Sequence, residues 1–235
     1  MKGLLKGAIL CLAIQIIVSL NAAAADQGGP ILSQGGRITL IPRTSAQHPV
    51  AKVPSDAGLV KIYDNIGSAY PKGTYWCCEG ATVSGPNSPG GVEWWNGTSF
   101  TPRADHTVTQ IRVAIGYLSG TNEVILSLTN DANGLPGTPI RTWVAKSLPN
   151  FGTCCAVVVK TYQAGIPVTK GTRYWITATT NANDADASLA WNVNDTDQMD
   201  SHLSAARCEG SVCRNNGKWE AVQQSPALAV AVLGQ

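Results

Sequence analysis

The chain predicts an all-β fold: an antiparallel, jelly-roll-like β-sandwich stapled by disulfides. Three observations carry that expectation. From Leu59 onward, short β-branched and aromatic runs alternate with Gly, Pro, Asn and Asp turns. No run there has a helical period, and a parallel sheet would need crossover helices. An even set of cysteines follows an export signal, which favours bridged pairs.

The first 25 residues carry Lys2 and Lys6, an apolar run from Ala8 to Leu20, and alanines ending at Ala25. A charged start, a short apolar stretch and an A-x-A site make a secretory signal peptide, with cleavage expected after Ala25. The apolar run is too short and wrongly flanked for a membrane span, and bulky Leu10 before Cys11 argues against a lipid anchor. Secretion or periplasmic residence is therefore expected. No second long apolar run follows, so no membrane span is expected in the exported part. Losing Lys2 and Lys6 and no acid turns the formal charge of +2 into zero. A chain without basic surplus has no electrostatic footprint for nucleic acid or an anionic membrane.

Residues 26–58 are rich in Gly and Pro, with only Ile38 to Ile41 strand-like, and read as a leader that adds one edge strand. Residues 59–235 form the β domain. Its clearest strand is Thr107–Tyr117, where Val108, Ile111, Val113, Ile115 and Tyr117 fall mostly on alternate positions. Glu123–Thr129 follows, closed by the turn Asn130–Gly134. Further strands are expected at Ile140–Ala145, Ala156–Tyr162, Arg173–Thr179, Ser188–Val193, Lys218–Val222 and Ala227–Leu233. Many short strands at regular spacing point to a sandwich or jelly roll.

Six cysteines remain after cleavage: Cys77, Cys78, Cys154, Cys155, Cys208 and Cys213. Their spacing is wrong for zinc. Six allow about 15 connectivities, among which a local Cys208–Cys213 bridge and a joining of the two vicinal pairs are preferred. Neighbours on a strand point to opposite faces, so such a pair can stitch two segments from both sides.

A succession of small motifs runs along the domain: Tyr63-Asp64-Asn65, Ser99-Phe100-Thr101-Pro102, the Val108 and Ile111 strand, Leu126-Ser127-Leu128 and Leu135-Pro136-Gly137. Tyr174-Trp175, Ala190-Trp191-Asn192, Gly217-Lys218-Trp219 and Ala229-Val230-Ala231-Val232 follow. This order resembles the bacterial choice-of-anchor R domains over residues 60–235, which implies an exported β-sandwich and carries no catalytic residue. The resemblance departs in two ways: no sorting tail precedes Gln235, so no C-terminal anchor is expected, and the cysteine pairs are not part of that pattern.

All seven tryptophans lie beyond the signal peptide, against two phenylalanines. An indole is a large, flat, rigid platform for a sugar ring. Trp94 and Trp95 are adjacent, so on a strand both cannot face one core, and one is exposed, covered by the leader, or packed under a loop or bridge. Trp143, Trp175, Trp191 and Trp219 sit in strand patterns that suit a core, and Trp76 suits packing on a disulfide. Trp94, Trp95, Asn96, Trp191 and Asn192 form the candidate ligand-binding set. Asp184, Asp186, Asp195 and Asp197 belong to an acid and amide cluster that fits either a structural calcium or plain turn chemistry.

His48, His106 and His202 stand in no metal or catalytic motif, and no G-x-S-x-G elbow occurs. Asp105 beside His106 reads as solvated surface. Glu79 and Glu93 are the pair to test for glycoside hydrolysis, which needs two acids at a fixed separation. The sequons at Asn96 and Asn194 predict exposed loops. The reading that results is non-enzymatic: an exported binding module with polysaccharide as leading ligand class. A structural or adhesive protein acting on another surface protein is the alternative, ahead of a glycoside hydrolase.

Overall fold

The computed structural model describes residues 30–32, 37–40, 58–66, 75–152, 158–181, 185–194, 204–209, 217–222 and 227–235. Among these residues there are strands and no helix, so none is long and apolar enough to cross a membrane. In chain order the strands are β1 (Pro30–Leu32), β2 (Arg37–Leu40), β3 (Val60–Asp64), β4 (Tyr75–Ser84), β5 (Glu93–Phe100), β6 (His106–Val113), β7 (Ile115–Ser119) and β8 (Glu123–Asp131). They continue with β9 (Pro136–Lys146), β10 (Val158–Val168), β11 (Tyr174–Thr179), β12 (Ser188–Asn194), β13 (Ser204–Glu209), β14 (Trp219–Val222) and β15 (Val230–Gly234).

Every pairing between these strands is antiparallel. An 11-stranded sheet runs β1-β2-β4-β5-β11-β8-β9, with β12 and β7 joined through β4, and β13 and β14 through β5. A four-stranded sheet runs β10-β6-β15-β3. Phe100, Leu126, Ile176, Leu189 and Trp191 of the large sheet share one apolar core with Val108, Ile111, Val230 and Val232 of the small one. Each large aliphatic or aromatic side chain so buried contributes about 1.5–3 kcal/mol.

The segment Thr107–Tyr117 is not one strand. It divides at Ala114, sending β6 into the small sheet and β7 into the large one. The cause is a closed ring of backbone hydrogen bonds. Ala114 N donates to Ala229 O at 3.1 Å, Ala229 N to Asn192 O at 2.8 Å, and Asn192 N to Ala114 O at 2.8 Å. Alternation continues through the junction because both halves still face the shared core, which is why the pattern reads as a single strand.

The Tyr63-Asp64-Asn65 motif has a structural role. Asn65 Nδ2 donates to Leu228 O at 3.1 Å, and its Oδ1 accepts from Val230 N at 2.7 Å. The side chain thus continues the ladder where β3 ends, a local substitute for backbone pairing. The turn after β8 is built as expected, with Asn133 and Gly134 at positive φ and Asp131 Oδ2 accepting from Gly134 N at 2.9 Å.

The leader supplies two short paired strands, β1 and β2, with β2 laid on β4. β1, β3, β4, β5 and β13 are not among the strands expected from the sequence. Residues 1–25, Asp184, Asp195, Asp197, Cys154, Cys155 and Cys213 lie outside the described residues, as do the side chains of Cys77 and Cys78.

Candidate functional site

β5 carries the two adjacent tryptophans, and its alternation separates them as expected. Trp94 shares a face with buried Asn96, Thr98 and Phe100, and stands opposite Ser84 and buried Cys208 at the rim of the core. Trp95 points to the outer face of the large sheet, half-buried, its Nε1 donating to Thr180 Oγ1 at 3.3 Å.

Across from Trp95 in register is Arg207 on β13, and across from Arg207 is Trp219 on β14. The guanidinium carbon of Arg207 lies 3.7 Å from the Trp95 ring centroid, a stacked cation–π contact. Its nitrogens diverge to three acceptors: Nε to Gly217 O, one terminal nitrogen 3.4 Å from Glu93 Oε2, the other 2.9 Å from Glu209 Oε2. Glu93 and Glu209 are themselves directly opposed in register. Arg207 thus bridges two like charges that would otherwise repel. Burial lifts the Glu93 carboxyl above its ordinary value, against the pull of Arg207, and Glu209 adds to the rise. Gly217 has φ of 75° and leaves room for Glu209, since a Cβ there would stand 2.9 Å from Oε2.

The cluster offers unused polar capacity at its open side. Glu209 is 57% exposed and binds Arg207 through Oε2, leaving Oε1 without a partner among the described residues. Trp219 is half-buried, and its indole N–H likewise has none among them. A flat apolar ring with a spare donor therefore stands beside a spare carboxylate acceptor.

The other residues singled out from sequence are placed elsewhere. Trp191 is fully buried and donates to Ala229 O at 3.0 Å. Asn192 is buried in the ring of backbone bonds at Ala114. Neither can meet a ligand, which corrects the candidate set. Asn96 is also buried, its amide donating to Thr82 O. The sequons at Asn96 and Asn194 therefore lie on buried strand positions instead of exposed loops. Trp175 is buried as expected, Trp143 packs against the core half-buried, and Trp219 is turned outward instead of into a core.

Of the acidic cluster only Asp186 is described. Its Oδ1 accepts from Thr121 Oγ1 at 2.7 Å and Thr121 N at 3.2 Å, bonds that hold its carboxyl below the usual range. Asp105 accepts from Lys170 N at 2.7 Å, while His106 Nδ1 lies 3.3 Å from Gln235 O. Glu79 stands five positions along β4 from the Ser84–Trp94 contact that leads to Glu93, about 17 Å of strand. That is beyond the ~5–10 Å at which two carboxylates serve glycoside hydrolysis.

Arg207 and Glu209 escaped the sequence reading because neither stands in a motif, and Trp219 was read as a core residue. Their association is made by the β5-β13-β14 register. No family model matches the chain, and no curated protein or solved structure matches it either.

Proposed function

We propose that the protein is an exported, disulfide-stapled β-sandwich of jelly-roll type, related to the choice-of-anchor R domains, that binds polysaccharide without catalysing its cleavage. The binding surface is the outer face of β5, β13 and β14. The observation that carries this reading is the row Trp95–Arg207–Trp219, flanked by Glu93 and Glu209. A sugar ring stacks on the exposed part of Trp219, its hydroxyls donating to Glu209 Oε1 and accepting from the indole N–H. Arg207 fixes Trp95 and both carboxylates, so the surface is ordered before a ligand arrives, which lowers the entropic cost of binding. Two antiparallel sheets on one core support the sandwich, and the burial of Cys208 on β13 is compatible with a staple there. Its partner in this reading is Cys213.

The test is retention on a panel of insoluble and soluble polysaccharides, read also by tryptophan fluorescence. Trp219→Ala and Glu209→Gln are expected to abolish retention, with Trp94→Ala retaining it. Loss with Trp94→Ala alone would move the platform to the core rim, and no retention on any glycan would end the reading.

The second reading, a structural or adhesive protein, is favoured by Ile140 and Val144, each 45% exposed on the edge strand β9.

A further inference from the structure

The cation of the Trp95–Arg207–Trp219 row is already committed. The guanidinium face of Arg207 lies on the Trp95 ring, 3.7 Å from its centroid. Each of its nitrogens has an acceptor: Nε on Gly217 O, one terminal nitrogen 3.4 Å from Glu93 Oε2, the other 2.9 Å from Glu209 Oε2. Lys218 is exposed, but it falls between Gly217, which lies against Glu209, and Trp219, which is paired with Arg207. Alternation therefore turns Lys218 to the other side of the chain.

The anions are in excess. Glu93 and Glu209, directly opposed in register, share the one guanidinium. With both ionised, two carboxylates stand against one cation. The imbalance is felt inside the cluster, where Glu209 helps to raise the Glu93 carboxyl above its ordinary value. It is accessible at Glu209, 57% exposed, whose Oε2 serves Arg207 while Oε1 has no partner among the described residues. A hydroxyl would fill Oε1 and leave the excess charge as it is. An ammonium would fill it and match two carboxylates with two cations, through a charge-assisted bond roughly twice as strong as a neutral one. It would also suit the neighbouring indole, whose face attracts cations. A carboxylated or sulfated sugar would bring a third anion to the same place.

We propose that the sugar held at Trp219 carries a free, protonated amine that donates to Glu209 Oε1 while the ring stacks on the indole, so that the ligand is a polysaccharide of amino sugars without N-acetyl groups. This rests on the glycan reading above and changes one contact in it: the donor at Oε1 is an ammonium instead of a hydroxyl.

Isothermal titration of the full exported protein at about pH 6 tests it with two oligosaccharides of one backbone, a β-1,4-linked glucosamine oligomer and the same oligomer N-acetylated. The free-amine oligomer should bind about three- to tenfold more tightly, the range of one exposed charge-assisted contact. Glu209→Gln should lose the free-amine oligomer. Glu220→Gln makes the same change of charge on a residue paired with Ala206 and turned to the other side of β14, and should keep both binding and preference. A preference below threefold overturns the proposal, as does equal loss in the two variants, which would mark attraction by overall charge. Equal binding of the two oligomers removes the ammonium and leaves the glycan reading standing. If neither oligomer binds, the proposal falls, and retention on the polysaccharide panel then decides whether the glycan reading falls with it.

Discussion

Arg207 lies across from Trp95 on the neighbouring strand with its guanidinium carbon 3.7 Å from the indole centroid, and it is 19% exposed. Removing it leaves Glu93, itself 17% exposed, without its cation and beside a second carboxylate. Arg207→Ala should destabilise the protein by roughly 2–4 kcal/mol, checked by urea unfolding. Arg207→Lys should recover less than half of that, since a single ammonium cannot reach three divergent acceptors.

The two kinds of tryptophan separate cleanly by substitution. Trp191→Ala empties a fully buried site and orphans an acceptor contact at Ala229, and should cost about 3–5 kcal/mol. Trp219→Ala, on a half-buried outer position, should cost under ~1.5 kcal/mol. Thermal melts of the two variants read this directly, and comparable losses would contradict the outer placement of Trp219.

Glu93 gives the protein a pH signature of known sign. Its carboxyl is raised above the ordinary 4.5 chiefly by burial, so the folded state holds the proton more tightly than the unfolded one. The stability this contributes is present below 4.5 and is lost as pH rises from there through the raised value. Glu93→Gln cannot titrate. The melting temperature of the parent should therefore fall relative to that of the variant as pH climbs from 4 to 7.

Asp131 has the opposite sign. Burial opposes its ionisation, but bonds from Trp175 Nε1, Gly134 N and the Arg173 guanidinium outweigh it and hold the carboxyl below the ordinary 3.8. Its contribution is present above 3.8 and fades as pH drops through the lowered value. Asp131→Ala leaves the N–H of fully buried Trp175 unpaired, costing about 1–3 kcal/mol at neutral pH. The parent and variant melts should converge in strong acid.

The all-β architecture was legible because alternation and turn residues are local signals. Glu123–Thr129 and Ser188–Val193 fall almost residue for residue on β8 and β12. Three of the strands that the sequence did not announce hid for identifiable reasons. β5 holds the adjacent pair Trp94-Trp95 and the polar run Asn96–Ser99, all of it buried on one face or the other, so no period of two stands out. β4 contains Gly80, which packs against the Trp191 backbone where a Cβ would come within 2.7 Å. β13 is short and carries Arg207 and Glu209 on its outer face. The cluster around Arg207 was less legible than the fold. The Trp94-Trp95 dipeptide lies on β5, but the residues aligned across from Trp95 come from 112 and 124 residues further on, a distance that no spacing rule bridges.

The ring joining Ala114, Ala229 and Asn192 has a mechanical consequence. The two sheets are riveted here through three chain segments far apart in sequence, with the Val193–Leu228 bridge beside them, so neither sheet can peel away while the other stays intact. The amides of Ala114, Asn192 and Ala229 should then exchange with solvent only through complete unfolding, at one common rate of opening, and heat should melt both sheets in a single step.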